Sequence, residues 1–373
     1  MKVPFFRSPW QTPELAQQLG REMAEVLQGG HYILGPQVQS FEQSLSARYS
    51  HERQAIAVNS GTDALVLALH LLDLQAGDEV ILPAGTFIAC FEAVIRSGAT
   101  PVLADSRADD FLCSAEQIRP LITPRTRAVM AVPLFGDTSA TPAIAQLCKD
   151  QGIALIEDIA QALGAQTRDA NGDRLHAGSM GDIATLSFYP TKTLGAAGDA
   201  GALISPHTHL VERARALRNH GRSGALHGEV GFNSRMDELQ AVVLRHGIAR
   251  LDTWLHERRS IAQRYLEQLA DLPDIFLPHR REGHAWNYFV LRSPRRDELK
   301  AELNRLGVDT RVYYDPPIHQ QPSYLQRFAA VELPNLQRHA QQALALPLYA
   351  GMPASEVDLV IDAMRAAVNS MRR

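Results

Sequence analysis

An amine, a carboxylate and a scatter of small residues are the parts of this chain that could do covalent chemistry. Lys192 lies in Ser187-Phe188-Tyr189-Pro190-Thr191-Lys192-Thr193-Leu194-Gly195, followed by Ala196-Ala197-Gly198-Asp199-Ala200-Gly201. The stretch begins at the end of the apolar run 183–188, which places Ser187 and Lys192 where a strand runs out. Partial burial favours the neutral form of a lysine, the nucleophile that makes an imine with a carbonyl. The glycines let backbone approach a flat ligand closely. Taken alone, a lysine beside glycines is ordinarily a solvated loop residue, so its company in the rest of the chain decides the matter.

Three further strand ends carry informative residues. Asn59-Ser60-Gly61-Thr62-Asp63 follows the run 55–58 and opens a helix. Its backbone N–H groups and the Thr62 hydroxyl form an anion site suited to a phosphate, although an ordinary Ser/Thr cap looks the same. Glu157-Asp158-Ile159-Ala160-Gln161 ends another strand. A carboxylate there can hold a protonated pyridine nitrogen and the small Ala160 leaves room for a ring; a satisfied polar strand end is the plain alternative. Pro83-Ala84-Gly85-Thr86-Phe87 ends a third and offers Phe87 as a stacking face, though a single aromatic is more often core. Phosphate site, stacking ring, carboxylate and amine, in that chain order, match what pyridoxal phosphate (PLP) requires.

The elements that must position these groups follow from the patterning. A helix is expected from Thr12-Pro13-Glu14 to Gly29-Gly30, and a second one through Phe41 and Leu45. Strands are expected at 55–58, 79–82, 101–104, 127–132, 154–157, 183–188 and 202–204, with helices such as 63–72 and 141–151 between them. Such alternation predicts an α/β fold with a mostly parallel sheet covered on both faces, whose ligands bind beyond the carboxyl ends of the strands. From 236 to 269 the sequence is helical, with a bend or break expected inside it. Beyond it come an expected strand at 286–291, a helix at 295–306, a strand at 309–313, a Pro-rich loop and a closing helix at 355–371. The chain therefore divides into a large ligand-binding domain, 1–250, and a smaller C-terminal α+β domain, 251–373.

Bulk properties exclude other classes. Net charge is −4 with acids and bases interspersed, so no nucleic-acid surface is expected. The stretch Met1-Lys2-Val3-Pro4-Phe5-Phe6-Arg7 lacks the apolar core of a signal peptide. The longest apolar run, 128–135, is far below the roughly 20 residues that span a bilayer. Cys90, Cys113 and Cys148 are isolated and read as reduced thiols of a cytoplasmic protein. The 14 histidines form no HExxH and no Cys/His ligand spacing, so no metal site is expected.

One set of motifs runs nearly end to end: Tyr32-Ile33-Leu34-Gly35-Pro36, Ser60-Gly61-Thr62, Asp158-x-Ala160-Gln161, Ser187-Phe188 to Lys192, Gly231-Phe232-Asn233-Ser234-Arg235-Met236, then Tyr314 and His319-Gln320-Gln321-Pro322. It resembles the DegT/DnrJ/EryC/StrS group of fold-type I PLP-dependent aminotransferases that act on nucleotide-linked keto sugars. The resemblance implies that Lys192 is the Schiff-base lysine and proton carrier, and that Asp158 pairs with the ring nitrogen. It further implies that Gln161 bonds the ring hydroxyl, that Phe87 and Ala160 flank the ring, and that Gly61, Thr62 and Ser187 bind the phosphate. Asn233 and Arg235 are implied to enter the neighbouring subunit's site, Asn233 toward the phosphate and Arg235 toward the substrate, in a homodimer with shared active sites. Tyr314 and His319 are implied to face substrate. Two departures stand out: Ala196 to Gly201 replaces a Gly-Gly-Glu-Gly-Gly-like run, and Tyr313 stands where relatives acting on 3-keto uronates carry histidine.

The reaction implied is ping-pong transfer of nitrogen from L-glutamate to a keto sugar nucleotide. Gln161, where many relatives that aminate carbon 4 carry His or Glu, points to carbon 3. A UDP-linked acetamido sugar is the expected substrate, feeding lipopolysaccharide, O-antigen or antibiotic sugars. A 4-keto sugar or an aminocyclitol is the alternative for the same chemistry. Sugar dehydratases of this fold replace the lysine with histidine, and Lys192 argues against them. A non-catalytic regulatory protein is disfavoured by the absent basic face and the complete cofactor set.

Overall fold

The computed structural model describes residues 2–49, 52–324, 326–328 and 331–372; Met1 lies outside them. Helix α1, Pro13–Gly29, begins with a proline after Thr12 and stops where Gly30 turns left-handed at φ 71°. Helix α2, Pro36–Ser46, has no side-chain cap of its own. Glu238, from far along the chain, takes that role: its carboxylate accepts the N–H groups of Gly35 (2.9 Å), Gln37 (2.8 Å) and Val38 (2.9 Å). An anion suits a helix N-terminus, and here it is buried.

There follow β1 (Gln54–Val58), α3 (Gly61–His70), β2 (Glu79–Pro83), α4 (Ile88–Arg96), β3 (Thr100–Ala104), β4 (Thr126–Ala131), α5 (Thr141–Gln151), β5 (Ala154–Asp158), β6 (Ile183–Ser187), β7 (Gly201–Ser205) and α6 (Thr208–Leu217). The seven strands form one sheet in the order β1-β7-β6-β5-β4-β2-β3. All run the same way except β7, which is antiparallel to both β1 and β6. Both faces are covered: Ile56 and Val58 join one apolar cluster, while Ala55 and Ala57, alternating with them, join another. The segments after β1, β2, β5 and β6 therefore emerge on one rim, and they are the four stretches that carry the candidate chemistry.

The helical region that follows is broken, as α7 (Glu238–Ile248) and α8 (Leu251–Gln268). Gly247 sits at the closest approach: a Cβ there would meet Leu194 Cδ1 at 2.4 Å, so only glycine lets α7 lie against the lysine loop. The remainder comprises β8 (Phe289–Arg292), α9 (Arg296–Arg305), α10 (Pro334–Gln342), β9 (Ala343–Leu346) and α11 (Ala354–Met371). Here the expectation of a strand at 309–313 is corrected. That segment makes a single bridge, Arg311 to Ala345, and the partner of β8 is β9. Ile261, Tyr265, Phe289, Leu299, Leu344, Val360 and Met364 pack with Val3 as a separate core cluster.

Buried Arg258 of α8 donates to the carbonyls of Trp286 (3.1 Å), Asn287 (3.3 Å) and Leu348 (3.2 Å), and burial pushes its guanidinium down to about 10. It fixes the 286–287 segment, which braces the lysine loop. Among the described residues no helix is long and apolar enough to cross a membrane.

Two predictions follow from these contacts. Glu238→Ala strands three backbone donors at the start of α2 and should cost about 2 kcal/mol or more, read as a lower thermal midpoint. His284, stacked on Trp286 at 3.8 Å, accepts the Trp286 N–H on Nδ1 at 2.8 Å. Burial pushes that imidazole from 6.5 down to about 4. The fold keeps it neutral while the unfolded chain takes up a proton below about 6.5, so the stability involved is complete above about 6.5 and lost as pH falls toward about 4. The loss is on the order of 3 kcal/mol. His284→Asn retains an acceptor that does not titrate, so the wild-type thermal midpoint should fall relative to that of the variant as pH is lowered through that window.

Candidate active site

Asp158 ends β5, paired in register with Thr185 of β6. It is only 7% exposed. Its Oδ1 accepts the backbone N–H of Ala160 at 3.1 Å and its Oδ2 accepts the thiol of Cys90 at 2.9 Å. Burial pushes the Asp158 carboxyl up; the Cys90 thiol, the Ala160 N–H and the positive charge of Lys192 pull it back down. Lys192 thus stands within electrostatic reach of Asp158, and it acts on Cys90 as well. A nearly dry carboxylate served by one thiol and one amide N–H retains lone pairs for a cationic N–H donor.

Lys192 is held by its neighbours. Phe188 is fully buried, edge-to-face on Phe41, and its backbone pairs with Ala200 (2.8 Å) and Ala196 (2.7 Å). The Lys192 N–H donates to the Tyr189 carbonyl at 2.9 Å, closing a turn over Ser187. On either side, Thr191 shares a hydrogen bond with the Tyr288 hydroxyl (3.2 Å) and Thr193 donates to Asn287 Oδ1 (3.3 Å). Trp10 Nε1 donates to the Gly195 carbonyl at 2.9 Å. The Lys192 side chain is left half-buried.

Helix α3 starts beside it. Ser60 caps the helix by accepting the Asp63 N–H at 3.1 Å. Among the described residues the N–H groups of Gly61 and Thr62 have no partner, so they are left free to cradle an anion. A Cβ on Gly61 would lie 2.5 Å from Ser187 Cβ, so the cradle and Ser187 are in contact. A Cβ on Gly201 would collide with the Ser60 carbonyl at 2.3 Å, which is why the strand returning from the lysine loop must carry glycine there.

Phe87, at the start of α4, is 53% exposed and stands 6.3 Å, centroid to centroid, from Tyr314. Gln161 is buried, with Oε1 accepting the Phe135 N–H (2.8 Å) and Nε2 donating to the Tyr314 hydroxyl (3.1 Å). One Nε2 hydrogen remains for a ligand. Burial pushes the Tyr314 phenol well above its ordinary range, so it stays a donor. His319 lies apart from these contacts: buried, with Nδ1 unpartnered among the described residues, its imidazole pushed down by burial and drawn back up by Asp105.

Asn233 and Arg235 lie beyond α6, joined to the cradle through Ser234. The Ser234 hydroxyl donates to Asp63 Oδ2 at 2.8 Å, whereas Asn233 is exposed. Arg235 donates to Asn233 Oδ1 (3.1 and 2.6 Å) and to Asn219 Oδ1 (3.1 Å). The structure therefore gathers Lys192, Asp158, Ala160, Gln161, Phe87, Tyr314, Ser187, Gly61 and Thr62 at one rim. It leaves His319 without a contact to them and turns Asn233 outward. Cys90, Asn287 and Tyr288 join the site through partners distant in the chain, which no spacing signals, and Asn219 joins it through Arg235.

The residues present fit PLP: unpaired N–H groups for a phosphate, a desolvated carboxylate for a pyridinium, an amine for the aldehyde and an exposed aromatic face for the ring. Comparison with known proteins agrees. The model of the DegT/DnrJ/EryC1/StrS aminotransferase family matches residues 13–365. A dTDP-3-amino-3,4,6-trideoxy-alpha-D-glucose transaminase of Streptomyces venezuelae is 40% identical over 98% of this chain and 96% of its own. A UDP-N-acetyl-3-dehydro-alpha-D-glucosamine 3-aminotransferase of Acidithiobacillus ferrooxidans is 37% identical over 93% of each chain. The crystal structure of S. venezuelae DesV in complex with a ketimine intermediate matches with a TM-score of 0.92, 40% identity and 98% coverage of both chains. That of NtdA from Bacillus subtilis with bound cofactor PMP matches with a TM-score of 0.90 and 32% identity, over 99% of this chain and 85% of the other. The chain belongs to the DegT/DnrJ/EryC1/StrS aminotransferase family of PLP-dependent sugar aminotransferases.

Proposed function

We propose that the protein moves nitrogen from L-glutamate to the carbon-3 ketone of a pyrimidine nucleotide-linked sugar. The observation that carries the cofactor part is the near-dry Asp158 carboxylate, held by weak neutral donors within reach of the Lys192 charge. The position of amination rests on Gln161 and on relatives at 40% and 37% identity, both named for nitrogen at carbon 3 of a sugar. One of those names carries dTDP and the other UDP. Uracil and thymine share the same 2,4-dicarbonyl edge, so both nucleotides stay within one recognition chemistry, and a UDP-linked acetamido sugar is the first candidate.

PLP, when bound, supplies an aldehyde for amines and a ring that withdraws electrons from the reacting carbon. Lys192 provides the attaching amine and, once displaced by the donor, moves a proton at its Nζ. Asp158 holds the proton on the ring nitrogen. Gln161 offers its remaining N–H to the ring hydroxyl, Phe87 and Ala160 take the two faces, and Gly61, Thr62 and Ser187 bind the phosphate. Tyr314 and His319, whose Nδ1 has no partner among the described residues, serve the substrate side. Two copies of the chain share each site, with Asn233 and Arg235 reaching the partner's phosphate and substrate. Supporting that arrangement, exposed Leu27, Tyr32 and Ile33 adjoin this segment through the Ile33–Asp237 bridge.

Lys192→Ala should abolish the covalent, borohydride-reducible link to PLP and lower turnover by about 10²–10⁴-fold or more; an unchanged link in the variant would eliminate Lys192. Incubation with glutamate and matched 3-keto and 4-keto sugars, as UDP and dTDP derivatives, followed by NMR location of the nitrogen, should give a 3-amino product. Exclusive amination at carbon 4 would reverse the assignment.

A further inference from the structure

The start of α4 presents two residues of the site rather than one. Phe87 is the extended residue that precedes the helix, and Cys90 lies in its first turn, where its thiol reaches Asp158. Cys90 is fully buried, and its Sγ lies 2.9 Å from Asp158 Oδ2 and 3.2 Å from the Thr86 hydroxyl, itself buried. A buried cysteine usually acts as a small hydrophobe. This one has a polar partner on each side instead, and one of them is the carboxylate on which the chemistry depends.

The direction of the two hydrogen bonds can be worked out. Burial and the Asp158 charge push the Cys90 thiol well above its ordinary range, so it keeps its proton. An ionised carboxylate only accepts, so the thiol donates to Asp158. Its single hydrogen is then committed, and the Thr86 hydroxyl donates to Sγ. Ala160 N–H holds the other carboxylate oxygen at 3.1 Å. The carboxyl plane is thereby fixed by one donor on each oxygen. A thiol is a weak donor, so it orients the carboxylate without drawing off the electron density that a ring N–H needs. An arginine or protonated histidine in its place would compete with that N–H.

We infer that Cys90, aimed by Thr86, is a positioning residue that sets the Asp158 carboxylate toward the ring nitrogen of the cofactor and so keeps that nitrogen protonated. The inference rests on the cofactor reading of the site. Neither residue touches substrate, so the effect belongs in kcat and in the state of the ring rather than in KM.

The test uses holoenzyme reconstituted with PLP carrying ¹⁵N in the ring, with the ring-nitrogen resonance followed against pH. Four variants are compared: Cys90→Ala, Cys90→Val, Cys90→Ser and Thr86→Val. Valine fills the space without a donor, and serine restores a donor. In Cys90→Ala and Cys90→Val the resonance should move toward that of an unprotonated pyridine at lower pH than in wild type, and kcat should fall roughly tenfold or more with KM little changed. Cys90→Ser should recover both, and Thr86→Val should shift the resonance in the same direction by less. If Cys90→Val matches wild type, or Cys90→Ala leaves the resonance in place, Cys90 is merely packing. A wild-type holoenzyme with no protonated-ring signal would instead remove the cofactor reading, and this inference with it.

Discussion

A carboxylate stripped of water at the end of a central strand is the constraint to which the rest of the rim answers. Asp158 follows Glu157, and the twofold period of a strand sends the two side chains to opposite faces. Glu157 is fully buried but well served, accepting the N–H groups of Gly178 (2.8 Å), Met180 (2.7 Å) and Gly181 (2.7 Å). Three charge-assisted bonds to backbone offset its desolvation. Asp158, one residue on, has a thiol and a single backbone N–H. Of two adjacent buried acids, the structure completes one and leaves the other wanting a cation, and the incomplete one faces the lysine. A buried acid left short of donors is stable only when something else answers its charge.

The sheet order makes that pairing possible. β6, which delivers Lys192, lies directly beside β5, which delivers Asp158. Had β7 returned parallel, the chain would have needed a long crossover from the lysine loop. Running antiparallel, it re-enters the sheet between β6 and β1 after the loop 188–200, and so places Ser187 against Gly61 at the start of α3. Glycine at 61 and 201 is the steric cost of bringing three backbones so close. The glycine-poor run from Ala196 to Ala200 does not loosen the arrangement, because Phe188 anchors both ends of the loop through its own N–H and carbonyl.

How far this was legible in the sequence depends on whether a signal is local. Each of the seven strands was expected within a residue or two, because an apolar run bounded by turn residues reports burial directly. The ends of α1 were carried by Pro13 and Gly30, whose backbone preferences act without tertiary help. Ala343–Leu346 was missed because alanine and leucine favour helix and no turn residue separates them from α10; pairing with Phe289–Arg292 decides the matter. Conversely, the segment from Asp309 to Tyr313 has strand-like composition but joins the sheet at one position only. In the site, charged and small residues at strand ends announced themselves, whereas Cys90, Asn287 and Tyr288 act through contacts spanning 68, 94 and 97 residues. No periodicity encodes such distances.

The arginines of α6 and of the segment that leads to α7 show how the same residue type is sorted by its partners. Arg213 is held by Asp73 and Glu229, and Arg215 and Arg218 both close on buried Glu42. Those charges are answered within the chain, and they fasten α6 to its surroundings. Arg235 is ordered just as firmly, but by the amide oxygens of Asn233 and Asn219, which leave its positive charge intact. A guanidinium fixed by neutral acceptors has already lost much of its rotamer freedom, so an anion meeting it gains the Coulomb energy with little further ordering cost. Exposed Leu226 and Val230 lie on the same segment, together with the exposed Asn233. In the proposed shared site the anion that meets this cation arrives from a second copy of the chain, and the ordering already in place lowers the cost of that meeting.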